Sequence, residues 1–203
     1  MAKAKVHRKN GVKTKPGRSA ATVLNLPPAK LDDQMQAYFG KCMEKLGFIP
    51  NVLEAYSFDL AKLKAFVAMA DDLMLAPSGL SKLEREMIAV TVSCANCCHY
   101  CIVAHGAAVR KLSGDSKLGD ILAANYRAAD LDVRTRAMLD FVWKLTVEPW
   151  TIVETDRAAL RKAGFADRDI WDIAAVAGFF AMSNRIASAT EMKPNDEYYG
   201  MGR

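Results

Sequence analysis

The chain has 203 residues, 51% of them apolar and only 8% aromatic, with a formal net charge of +5. That length suits one domain with a real core, and apolar content rich in Ala, Leu and Met favours packed helices over a sandwich of strands. The charge means less than it suggests: residues 1–20 carry seven Lys/Arg and no acid, leaving 21 basic and 23 acidic side chains elsewhere, so the remainder shows no nucleic-acid surface.

Residues 1–22 read as a basic tail, because a Lys/Gly/Pro-containing segment with few apolar side chains cannot offset its ordering entropy by burial. Disorder is expected there and a folded domain over 23–203. Pro27-Pro28 punctuates the chain, and Asp32-Asp33 opens a helix to about Leu46, closed by Gly47 with Pro50 beyond. A second helical region spans Asn51 to Leu75 and ends at the turn Ala76-Pro77-Ser78-Gly79. Ser81 and Glu84 form a Ser-x-x-Glu capping box, which satisfies free backbone donors and fixes a helix start. From there Leu83, Met87, Val90 and Cys94 share one stripe with Ile88 and Val92 opposite, so this helix is expected to be buried on both sides. The run Ile88 to Val92 alone would serve as a strand; the cap and the length decide for helix.

A further helix is expected from near Cys98 to Ser113-Gly114, with Arg110 and Lys111 in its last turn, where cations suit the helix dipole. Val133 to Leu145, Glu154 to Ala163 and Asp167 to about Ala189 follow, with Pro149 and Gly164 as breaks. The expected fold is all-α, a single-domain bundle of seven or eight helices. No secretory core segment is evident, and the run Ile173 to Asn184 is far short of the ~20 apolar residues of a membrane span. A cytoplasmic protein with neither membrane nor nucleic-acid partner is the expectation.

Chemistry concentrates in one place. Four of the five cysteines fall between Cys94 and Cys101, unlike the spread framework of a secreted disulfide scaffold, and such clustering points to redox or metal chemistry. Zinc sites usually join two separated knuckles so that the ligands surround the ion; four sulfurs within eight residues would do so poorly, and neither metal nor cofactor is expected. At ~100° per residue from Cys98, Cys101 falls near ~300° and His105 near ~340°. Both thiols and the imidazole thus share an inward stripe with Ile102, Val109 and Leu112.

A Cys-x-x-Cys at a helix N-terminus meets free backbone N–H groups that favour the thiolate, the attacking form. A histidine one turn later can take or return the proton. Helix geometry alone allows Cys98, nearer the helix end, as the attacking thiol. Glu86 lies 12 residues before Cys98, roughly 18 Å away on a continuous helix, so it reaches His105 only if the chain bends near Ala95-Asn96. Its helical neighbours Leu83, Ala89 and Val90 point to a desolvated carboxylate, and it has no capping role of the kind Glu84 has. The plainer alternatives are core packing for Cys98, Cys101 and His105, and an ion pair between Glu86 and an arginine such as Arg185. Cys42 and Cys94 read as core, while Cys97 stands between incidental and redox-active.

The string EREMIAVTVSCANCCHYCIVAHGAAVRKL, with Glu86, Ser93, Asn96, Cys98, Tyr100, Cys101 and His105, closely resembles the AhpD-like alkylhydroperoxidases of the carboxymuconolactone decarboxylase family. LGFIPNVLEAY, MLAPSGLSKLEREMIAV and Ser183-Asn184-Arg185 extend the resemblance, which is closer to the branch described as uncharacterised peroxidase-related enzymes. It implies an oligomeric helical peroxidase, trimeric or hexameric, acting on hydrogen peroxide or organic hydroperoxides. By that resemblance Cys101 attacks and becomes a sulfenic acid, Cys98 resolves it as a disulfide, and Glu86 with His105 relays the proton. An external dithiol, on a lipoyl-bearing or thioredoxin-like protein, restores the thiols. Two features depart from the pattern: Cys94 and Cys97 are additional thiols, and Tyr100 stands where some members carry histidine. The alternative from another class is a redox sensor that uses the same disulfide as a conformational switch. Lactone decarboxylation, the family's namesake activity, has no need of two thiols.

Overall fold

The structure, a computed structural model, describes residues 21–203, and these form ten α-helices and two 3-10 turns with no strand among the described residues. Four of the α-helices start on an N-cap side chain, Asp32, Asp59, Ser81 or Asp132. Asp32 accepts the Met35 amide at 3.0 Å and opens α1 (Asp33–Leu46), and Gly47, at φ 83°, closes it. The region from Asn51 to Leu75, expected as one, is two helices, α2 (Asn51–Tyr56) and α3 (Leu60–Leu75). Asp59 makes the break: its carboxylate accepts the amides of Ala61 and Lys62 and restarts the helix with neither Gly nor Pro to announce it.

The Ser81–Glu84 capping box starts α4 (Lys82–Ala95), and α5 (His99–Ser113) follows with Cys98 as its N-cap. The short α6 (Leu118–Asn125) was not expected from the sequence. It lies against α5 where Gly119 meets Gly106, so closely that a Cβ on Gly119 would run into the Gly106 carbonyl. Then come α7 (Val133–Val147), α8 (Glu154–Lys162), α9 (Asp167–Ala189) and α10 (Glu197–Gly200).

The organising element is α4, which packs against α5, α6, α7 and α9. Ile88, Ala89, Val90 and Val92 are fully buried, the pattern of a helix apolar on all sides and wrapped by others. They meet Leu139 and Val142 of α7 and Ile173 and Val176 of α9, each large apolar side chain contributing about 1.5–3 kcal/mol on burial. Polar anchors hold the turn before α4. The buried Arg85 guanidinium donates to the carbonyls of Leu80 and Leu73, and the Ser78 hydroxyl donates to Asp172 on α9 at 2.7 Å.

Arg110 lies in the last turn of α5 as expected, and it is buried there and donates to the carbonyls of Tyr198 and Met201, tying the C-terminal segment across α5. Ala21 and Thr22 are buried, and the Val23 amide donates to the Thr190 carbonyl while Lys193 donates to that of Ala21. The remainder of the proposed tail lies outside the described residues. Among the described residues no helix is long and apolar enough to cross a membrane.

Close approach of α6 to α5 leaves no room for a methyl group, and Gly119→Ala is expected to destabilise the fold by about 1–3 kcal/mol. A lower midpoint of urea unfolding at unchanged slope is the readout; an unchanged midpoint contradicts the close packing.

Candidate active site

The site begins with how α4 stops. The Cys98 amide donates to the Ser93 carbonyl at 2.9 Å and the Cys97 amide to that of Cys94 at 3.0 Å. With Cys97 left-handed at φ 53°, this is a Schellman motif, in which glycine usually occupies the position Cys97 holds. It reverses the chain and lays α5 back along α4. Glu86 and His105, 19 residues apart in sequence, meet with Nδ1 2.6 Å from Oε2. An ionised carboxylate only accepts, so Nδ1 carries the hydrogen in this pair and Nε2 is left for chemistry. The Phe180 ring packs edge-on to the imidazole at 4.5 Å. Arg185 is not the partner of Glu86; its guanidinium donates to the Ala181 carbonyl.

Cys98 and Cys101 are 1% and 3% exposed and sit in an apolar cluster with Tyr100, Ala104, Ala187 and Met192. Cys98, at the N-cap, lies just outside the helix, while Cys101 occupies the first turn, one turn before His105. The two thiols share a hydrogen bond. Cys98 sulfur also accepts from the Cys101 amide and from the Asn184 and Ser188 side chains, and the donation from Cys101 above all pulls its pKa down to about 6. Cys101, the donor in that bond, is pushed well above the usual thiol range by Cys98 and by burial. Both shifts favour Cys98 over Cys101 as the sulfur that ionises.

Sequence reasoning noted Asn184 without a role. It is 1% exposed and joins both helices to the dithiol. Its Nδ2 donates to Ser93 Oγ at 3.0 Å, its Oδ1 accepts from Asn96 Nδ2 at 3.0 Å, and its side chain contacts both sulfurs. Ser93 in turn donates to the Ala89 carbonyl at 2.6 Å. The sequence signal was there: one amide closing the uncharged run on α9.

A cavity of about 490 Å³ opens beside this pair, walled by Val52, Tyr56, Phe179, Phe180 and Met192. Glu86, Cys101 and His105 line it, and Cys98 does not. Tyr100 accepts the Val52 amide at 3.0 Å and shares a hydrogen bond with the Tyr198 hydroxyl. Burial pushes both phenols up, so both remain neutral. Cys42 also lines the cavity, half-buried and pushed up by burial and by Asp71. Cys94 is half-buried with its thiol donating to the Ala123 carbonyl at 2.8 Å, and Cys97 is exposed. All five cysteines are free. Among the described residues no group of three or more His, Cys, Asp or Glu is placed to hold a metal ion.

A buried dithiol beside a His–carboxylate pair, on an all-helical frame and facing an apolar cavity, defines a class of helical thiol proteins. Residues 62–125 match the carboxymuconolactone decarboxylase family. An uncharacterized peroxidase-related protein from Silicibacter sp. TM1040 is 59% identical over 94% of this chain and all of its own, with a TM-score of 0.88. An uncharacterized peroxidase-related protein from Ralstonia eutropha JMP134, described as an alkylhydroperoxidase AhpD core, is 43% identical over 90% of this chain and 97% of its own, with a TM-score of 0.86. The chain belongs to the carboxymuconolactone decarboxylase family, in its AhpD-like, peroxidase-related group. The debrominase Bmp8 shares the fold alone, at 17% identity over 91% of this chain and 96% of its own, with a TM-score of 0.72. No curated protein matches the chain significantly.

Asn184→Ala removes a donor to Cys98 and leaves Ser93 and Asn96 without their partner. The thiolate titration, followed by ultraviolet absorbance, is expected to move upward from about 6 while the helical circular dichroism stays. A titration that does not move rules out Asn184 as a stabiliser of the thiolate.

Proposed function

We propose that the protein is a dithiol peroxidase that reduces hydrogen peroxide or organic hydroperoxides through a Cys98–Cys101 disulfide cycle. The observation that carries this is the division of labour between the sulfurs. Cys98 holds the charge, whereas Cys101 lines the cavity with Glu86 and His105. In this reading the Cys101 proton passes along the shared hydrogen bond to Cys98, and the Cys101 thiolate attacks the distal peroxide oxygen. The S–O bond forms as the O–O bond breaks. The proton that Cys98 gave up on ionising is held at His105 Nε2 and passes from there to the departing alkoxide, while Glu86 holds the imidazole through Nδ1. Cys98, now a thiol, attacks the Cys101 sulfenic acid, and a disulfide and water result. Two thiols and one hydroperoxide thereby give a disulfide, an alcohol and water.

The apolar surroundings favour this course. A sulfenic acid formed next to a second thiol, within a cluster largely closed to water, condenses before further oxidation. Regeneration needs an external dithiol, on a lipoyl-bearing or thioredoxin-like protein. The two close relatives, both named peroxidase-related, support the reaction class.

Three variants separate the roles in a hydroperoxide assay with a dithiol reductant. Cys101→Ser is expected to abolish turnover. Cys98→Ser is expected to stall after one oxidation, with a sulfenic acid on Cys101 that dimedone traps. Glu86→Gln is expected to lower turnover by about 10²–10⁴, the usual worth of a positioned proton relay. Full activity in Cys101→Ser, or the dimedone adduct on Cys98 in the Cys101→Ser protein at wild-type rate, assigns the attack to the other sulfur. Consumption of no more than one equivalent by the wild type, with reductant in excess, makes the dithiol a sensor rather than a catalyst.

A further inference from the structure

Among the described residues two buried side-chain oxygens have no hydrogen-bond partner, Thr91 Oγ1 and Ser183 Oγ. A buried hydroxyl left unpaired is unfavourable unless something else supplies the bond. Other helical hydroxyls of this fold avoid the problem by donating one turn back, Ser93 to Ala89, Thr146 to Val142 and Thr190 to Ile186. Thr91 is closed within the core and does not line the cavity. Ser183 does line it, together with Glu86, Cys101 and His105.

The position of Ser183 on α9 aims it at the reacting groups. Phe179, Phe180, Ile186 and Ala187, the residues one turn before and one turn after it, line the same cavity. Ser183 therefore stands in the middle of the face that α9 presents there. Phe180 packs on the His105 ring at 4.5 Å, and Ala187 clusters with Cys98 and Cys101. The side chain of Asn184, the next residue, contacts both sulfurs. This brackets the Ser183 hydroxyl between the imidazole and the dithiol. Polar neighbours in the cavity are already engaged: Glu86 with His105, Tyr100 with Val52 and Tyr198, Cys101 with Cys98.

We propose that Ser183 is a substrate-binding residue whose hydroxyl holds the hydroperoxide group in front of Cys101. The inference rests on the dithiol peroxidase reading and assigns that site the anchor for its substrate. A hydroxyl is donor and acceptor at once, and so is the terminal O–H of a hydroperoxide. Ser183 donates to the distal oxygen, the one that Cys101 attacks, and the proximal oxygen is left to His105 Nε2. The bond that Ser183 lacks in the resting protein is supplied by the substrate. Ser183 keeps its proton throughout; its part is to fix which oxygen faces the sulfur, an orientation otherwise left to apolar walls.

Ser183→Ala removes the oxygen and keeps the helix. The test is single-turnover oxidation by tert-butyl hydroperoxide without reductant, followed as loss of free thiols in quenched samples. The second-order rate is expected to fall about three- to tenfold, the worth of one hydrogen bond. Two other readouts are expected to hold: the rate at which iodoacetamide alkylates the reduced dithiol, and the midpoint of urea unfolding, because the hydroxyl removed has no partner within the protein. An unchanged peroxide rate overturns the assignment. A parallel loss of alkylation also overturns it, by tracing the effect to the thiols, and a lower urea midpoint does so by tracing it to the fold. Wild type and variant oxidised alike sink the role of Ser183 and leave the peroxidase standing. A wild type that the hydroperoxide does not oxidise sinks the peroxidase reading, and the anchor with it.

Discussion

Everything chemical in this protein depends on one backbone event, the reversal between α4 and α5. On a straight helix Glu86 and Cys98 would stand roughly 18 Å apart. The Schellman motif at Cys97 instead returns the chain along the face it has just left, and the Glu86 carboxylate ends 2.6 Å from His105. The reversal is held by two amide-to-carbonyl bonds within the turn and by Asn184, which reaches from α9 to Asn96, Ser93 and both sulfurs. The turn is secured from a third helix as well as by its own hydrogen bonds.

That arrangement also answers how a negative charge is tolerated in an apolar cluster. A buried thiolate without donors would be strongly unfavourable, and burial alone raises a thiol's pKa. Here the Cys101 thiol, the Cys101 amide and the side chains of Asn184 and Ser188 converge on Cys98. The charge is placed on the sulfur outside the helix, where a free amide of the first turn points at it. The other sulfur is held protonated against the cavity. In the proposed cycle a proton passed from Cys101 to Cys98 makes Cys101 the nucleophile.

Much of this was legible in the sequence, and the failures have identifiable causes. The Ser81–Glu84 box, the stripe of Met87 and Val90, and the one-turn spacing of Cys101 and His105 follow from helix periodicity and capping, which are local. The need for a bend before Cys98 followed from distance alone. Its form did not, because the left-handed position is held by Cys97 where glycine would have signalled it. The break at Asp59 was missed for want of Gly or Pro, although an aspartate is a sound cap. The short α6 depends on Gly119 meeting Gly106, a tertiary contact no single segment reveals. The partners of Arg110 were out of reach for the same reason: the carbonyls of Tyr198 and Met201 lie some ninety residues later.

A non-glycine residue in the left-handed region carries a penalty of about 1–2 kcal/mol, and the described residues accept it twice, at Cys97 and at Glu191. At Glu191 the same motif ends α9, so the fold tolerates the strain without a thiol. Strain at Cys97 is therefore no sign of chemistry by itself. What distinguishes Cys97 is the company that the turn gives it. One reversal places Cys94 at the last turn of α4, Cys97 outward, Cys98 at an N-cap and Cys101 within the first turn of α5. Four sulfurs within eight residues thereby occupy four environments, from exposed to cavity-lining. Side-chain identity supplies the sulfur, and the backbone decides which of them is exposed and which faces the cavity.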